Sequence, residues 1–178
     1  MAEKKLLNGL DVEEIETALN ILRAQPDRSN APKSSRVRWT SGLQFKAFVR
    51  NHVFLVDEPA HLTGADESPN SVEFVLGAYG ACLATGFVWI ATRRGIAIHN
   101  LEVVLDSTQD NAFTFIGIDP PDGHGHSGLD EIKAKIYVQA SADEQTLREI
   151  WEQTLKTSPV GNSLTRTVVI EPEIEIIP

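Results

Sequence analysis

Cysteine is nearly absent from this chain: Cys82 is the single one in 178 residues. No disulfide can form within the chain, and the scarcity fits a reducing, cytoplasmic setting. Basic charge is also sparse, with 16 Lys and Arg against 25 Asp and Glu and a formal net charge of -9. No basic stripe exists to neutralise phosphates, which argues against nucleic acid as a main partner. Lys4 and Lys5 lead into no apolar stretch, so no signal peptide is expected. The chain lacks internal repeats, low-complexity segments, a phosphate-cradling glycine loop, a nucleophile elbow and a zinc-type cysteine cluster. No cofactor is implied.

What remains is a soluble globular composition, 42% hydrophobic and 23% charged, of a length that suits one well-packed domain. Its most unusual feature is an 18-residue run without charge, residues 74–91. At 1.5 Å per residue a helix of that length reaches about 27 Å, barely a membrane span. Gly77, Gly80, Gly86 and Thr85 dilute its hydrophobicity. We read it as a buried core helix, with no membrane partner.

Asp11 is placed to cap a first helix, with Val12, Ile15, Leu19 and Leu22 at helical spacing. A polar, Pro- and Ser-containing stretch follows, so residues 1–30 are expected to be an appendage joined by a linker to a domain spanning 31–178. From Arg36 the period changes to two, predicting three antiparallel strands across residues 36–56. Asn70 and Glu73 form a capping-box pattern that opens the long apolar helix, which ends near Gly95. Residues 98–107, 112–118 and 129–139 read as strands. Ser141 and Glu144 are expected to cap an amphipathic helix presenting Leu147, Ile150, Trp151 and Leu155. A closing edge strand is expected around Pro172, with Val168, Ile170, Ile174 and Ile176 on one face and Glu171, Glu173 and Glu175 on the other. Strands grouped in hairpins rather than alternating with helices predict an α+β fold.

Cys82 lies inside the long helix. At 100° per residue it shares a face with Val75, Ala78, Tyr79, Gly86 and Trp89. That surface suits close helix packing, and equally a small apolar pocket around a thiol. A reactive thiol needs a cation or a helix N-terminus nearby. The N-terminus is about three turns away, so the cation must come from Arg36, Arg38, Lys46 or Arg50 on the meander, or from a partner chain. Glu73, nine residues earlier, lies about 13 Å along the axis and on the opposite side. Its simplest role is to close the cap on Asn70.

The stretch Ser68-Pro-Asn-Ser-Val-Glu-Phe-Val-Leu-Gly-Ala-Tyr-Gly-Ala-Cys-Leu83 resembles the signature of the OsmC/Ohr family. Ala91-Thr-Arg-Arg-Gly-Ile96, Leu101-Glu-Val103 and Ser158-Pro-Val-Gly-Asn-Ser-Leu164 fit the same pattern. The resemblance implies an OsmC-like α+β fold, with an antiparallel meander and a long central helix, in an intertwined homodimer. It also implies a thiol-based reduction of organic hydroperoxides, part of an oxidative stress response. In family peroxidases one cysteine attacks the peroxide, a second resolves it to a disulfide, and an arginine and a glutamate keep the first thiolate reactive. Cys82 matches the attacking position. Glu73 matches the glutamate of many members, whereas the best-known peroxidases carry it one place earlier, where Val72 stands. Lys46 is nearest the arginine position, with Arg38 and Tyr79 as supporting candidates. Ser158 stands where the resolving cysteine would be, so a single-cysteine cycle regenerated by an external thiol is implied. The competing expectation is a non-catalytic OsmC-fold protein that binds a small apolar ligand at the dimer interface, with Cys82 merely packed. His124 and His126 beside Asp122 are a weak metal pattern, read as a solvated loop without a metal.

Overall fold

The structure, a computed structural model, describes residues 6–26, 32–110, 112–118 and 126–177. The chain opens with a hairpin of two short strands, β1 (Leu6–Leu7) and β2 (Leu10–Asp11). It turns through Asn8 and Gly9, both at positive φ (53° and 76°), as a two-residue Asn-Gly hairpin turn requires. Asp11 then caps helix α1 (Val12–Ala24), accepting from the backbone N–H groups of Glu13 and Glu14. The expected three-stranded meander is present as β3 (Arg36–Ser41), β4 (Gln44–Val49) and β5 (His52–Val56), in that order in one antiparallel sheet.

The loop after β5 is organised by Asp57, which is fully buried. Its carboxylate accepts from Gln44 Nε2 (3.1 Å) and from the backbone N–H of Glu58 (2.8 Å), Ala65 (3.4 Å) and Glu67 (3.1 Å). Burial alone would raise its pKa, but these bonds outweigh burial and hold it below the usual carboxylate value. This loop delivers the chain to helix α2 (Ser71–Arg93), whose capping box between Asn70 and Glu73 forms as the sequence predicts. The helix stops where Gly95 takes φ +73° and the Ile96 N–H returns to the Ala91 carbonyl.

Two long strands follow, β6 (Ile98–Gln109) and β7 (Leu129–Ala140), paired antiparallel from Ile98↔Ala140 to Gln109↔Leu129. Between them lies a short helix α3 (Ala112–Phe115), where the alternating pattern led us to expect a strand. Helix α4 (Glu144–Thr157) is capped by Asp143, whose carboxylate accepts from Thr146 N–H at 2.8 Å. The expected cap, Ser141, sits outside the helix, its backbone N–H bonded to the Ala97 carbonyl and its hydroxyl to His99. A further helix, α5 (Pro159–Thr165), follows at once.

The core lies where α2, α4 and the β6–β7 hairpin meet, with Phe87, Ala91, Ile96 and Ile150 buried together. Leu101, Ile136, Val138, Leu147 and Trp151 pack around them. α2 is long and apolar enough to cross a membrane by length and composition (mean hydropathy 1.8). In the fold it buries Leu83, Phe87, Ala91 and Thr92. Burial is one-sided within the chain, because the meander does not cover the opposite face: Val75, Ala78, Thr85 and Trp89 stay exposed. The expected closing strand is a correction. Residues 167–177 form no strand, although the alternation is present, because no strand among the described residues offers them a ladder.

Candidate functional site

The α4–α5 junction brings Ser158 to Cys82. Ser158 ends α4, its N–H bonded to the Thr154 carbonyl, and simultaneously caps α5 through Gly161 N–H. Pro159 occupies the first helical position, where a missing N–H costs nothing. This double role fixes the Ser158 Oγ 3.3 Å from the Cys82 Sγ. One turn along α2, Gly86 lets α4 approach: a Cβ there would stand 3.2 Å from the Thr154 Cγ2.

Cys82 is half-buried and opens into a groove of about 530 Å³ lined by Ala78, Ala81, Thr85, Gly86, Trp89, Ile90, Thr157 and Pro159. None of these residues carries a charge. Trp89 is 47% exposed, so the apolar wall continues onto the surface of α2. On the other flank Tyr79 lines a separate cavity of about 400 Å³ with Asp130, Ile132, Gly161 and Leu164. Its ring closes on Gly161, where an added Cβ would meet the Tyr79 Cε2 at 2.9 Å.

Of the residues singled out from sequence, the fold gathers Cys82, Ser158 and Tyr79. It does not add Glu73, Lys46 or Arg38. Glu73 is spent on the α2 cap, accepting from Asn70 N–H at 2.8 Å. Near it, burial raises the Glu58 carboxyl above its usual pKa, and the charges of Glu73 and Asp57 add to this against the lowering effect of Asn70. Lys46 and Arg38 face each other across β3 and β4, and neither lines the groove. The groove residues Thr157 and Pro159, and the Gly161 N–H, were missed from sequence. The Ser-Pro pair after α4 is a helix-start signal that could have found them.

The histidine loop is partly described: His124 and Asp122 lie outside the described residues. His126 lies with Asp110 and Asp130, their ligand-type atoms within 4.8 Å of one another. Its Nδ1 accepts the Gly128 N–H (3.1 Å), its Nε2 faces Asp130 (3.4 Å) and its backbone N–H reaches Asp110. These contacts tie His126 to Asp110, Gly128 and Asp130.

This order of elements, with a cysteine on the central helix facing the junction of two later helices, can be compared with known proteins. The family model described as OsmC-like protein matches residues 64–173. The chain belongs to the OsmC-like family. Among solved structures this OsmC-like chain is similar to an OsmC-like protein of Mycoplasma pneumoniae, at 18% identity and TM-score 0.63, covering 76% of this chain and 88% of that one. It is similar to an OsmC-like protein of unknown function from Vibrio cholerae, at 12% identity and TM-score 0.61, covering 76% and 94%. The organic hydroperoxide resistance protein OhrB of Bacillus subtilis matches at 14% identity and TM-score 0.50, covering 76% and 91%. At these identities the likeness concerns the fold. No curated protein sequence matches.

Proposed function

We propose that this OsmC-like protein is a single-cysteine thiol redox protein that reduces organic hydroperoxides in the cytoplasm. The observation that supports the reading is a half-buried thiol at the wall of an uncharged apolar groove, with a serine as its hydrogen-bonding neighbour. An apolar groove suits the alkyl part of a hydroperoxide. The Cys82 thiolate attacks the terminal peroxide oxygen, the O–O bond breaks, and the alkoxide leaves and is protonated to an alcohol. Cysteine is oxidised by two electrons to a sulfenic acid. With no second cysteine in the chain, an external thiol must attack that sulfur, releasing water and giving a mixed disulfide, which a second thiol reduces. The solved relative named for organic hydroperoxide resistance points the same way.

The test is stoichiometric organic hydroperoxide without added thiol, followed by a sulfenic-acid trap and mass spectrometry. We expect modification at Cys82. Ser158→Cys should place a second sulfur within bridging reach, form an internal disulfide under oxidant, and protect Cys82 from sulfinic acid. A folded protein whose Cys82 ignores hydroperoxide, or a folded Ser158→Cys variant that never bridges, would favour the competing role: a non-catalytic binder of an apolar ligand with Cys82 as packing.

A further inference from the structure

Ser158 is only 4% exposed, so each hydrogen-bonding capacity of its hydroxyl must be met inside the protein. One lone pair takes the Gly161 N–H at 3.0 Å. The backbone of Ser158 is held in place, its N–H bonded to Thr154 O (3.0 Å) and its carbonyl accepting from the Asn162 N–H and Nδ2, each at 2.9 Å. The hydroxyl proton is left. The neighbouring buried hydroxyl, Thr154, is already committed to the Ile150 carbonyl. Among the described residues the one remaining partner of the Ser158 Oγ is the Cys82 Sγ, at 3.3 Å.

We propose that Ser158 is a positioning residue whose O–H donates to the Cys82 sulfur and thereby favours the thiolate. The opposite polarity, with S–H donating to oxygen, would give the oxygen two donors and leave its own proton buried without a partner. A hydrogen bond to the charged form favours that form. The groove carries no charged side chain, so this hydroxyl does part of the work otherwise expected of a cation. The same proton can serve the sulfenate oxygen after oxidation. The inference deepens the redox reading and rests on Cys82 as the reacting atom, but its test uses no peroxide, so the two fail separately.

The experiment follows the thiolate absorbance of the single cysteine through a pH titration. Ser158→Ala should raise the midpoint and leave about tenfold less thiolate at any pH below it, one pKa unit. Ser158→Thr, which keeps the hydroxyl, should restore most of the loss, with circular dichroism confirming that both variants are folded. An unchanged midpoint in folded Ser158→Ala, or a shift that Ser158→Thr does not rescue, overturns the proposal. If Ser158→Ala does not fold, the Raman S–H band of the unaltered protein decides, since one cysteine gives one band. A frequency typical of a thiol that does not donate supports the proposal, and the lowered frequency of a donating S–H overturns it.

Discussion

Asp57 carries the heaviest polar load of any single side chain among the described residues, with four donors on one buried carboxylate. Its lowered pKa makes the ion part of the fold. The stabilisation is fully present above the unfolded-state value, about 3.9, and fades as pH falls through the lower folded value. Asp57→Asn, which brings its own donors to a site full of donors, should therefore lower the unfolding midpoint in urea at pH 7. The gap from the parent protein should narrow as the pH approaches 3, and a gap independent of pH would contradict this. Nothing in the sequence marked Asp57 out, because it sits in an irregular loop whose closure depends on contacts with Gln44 and residues 65–67. The capping role of Glu73 was legible from local sequence, while Cys82 stood out as the single cysteine and Ser158 only through the family resemblance. That Lys46 stands opposite Arg38 and outside the groove was not legible, since strand pairing decides it.

Among the elements, those defined by local chemistry were readable: the meander by its period of two, α2 by its cap and terminal glycine, α4 by its apolar stripe. Two of the misses share a cause. Ser141, expected to cap α4, is held instead by Ala97 and His99, remote in sequence, and no described strand pairs with the alternating tail. Contact between α2 and α4 rests on Gly86, so Gly86→Ala should force Thr154 outward and cost about 1–3 kcal/mol in chemical unfolding. Asn8 ties the N-terminal hairpin to the core. Asn8 donates to Thr92 Oγ1 and the Ile96 carbonyl, both at 2.9 Å, and accepts the Ile98 N–H at 2.7 Å. We propose that residues 1–30 form a latch on the core domain rather than part of it. A chain beginning at residue 31 should fold and assemble, with stability reduced by about 1–3 kcal/mol. An insoluble or unfolded truncation would place the segment within the domain.

Across the described residues of the whole molecule, apolar surface is left exposed: Trp39 at 64%, Trp89 on α2, and the isoleucines of the tail. We propose that a second copy covers it, forming an obligate homodimer built on α2. Sedimentation at micromolar concentration should find the dimer, and a folded monomer there would refute it. The latch has a consequence in time. Asn8 bonds to residues 84 to 90 positions downstream, so during synthesis its partners do not yet exist. At roughly 5–20 residues per second, Asn8 waits several seconds for α2 to be completed. The hairpin is thus fastened only after α2 is complete, and a nascent polypeptide stalled before Thr92 would lack all three Asn8 bonds.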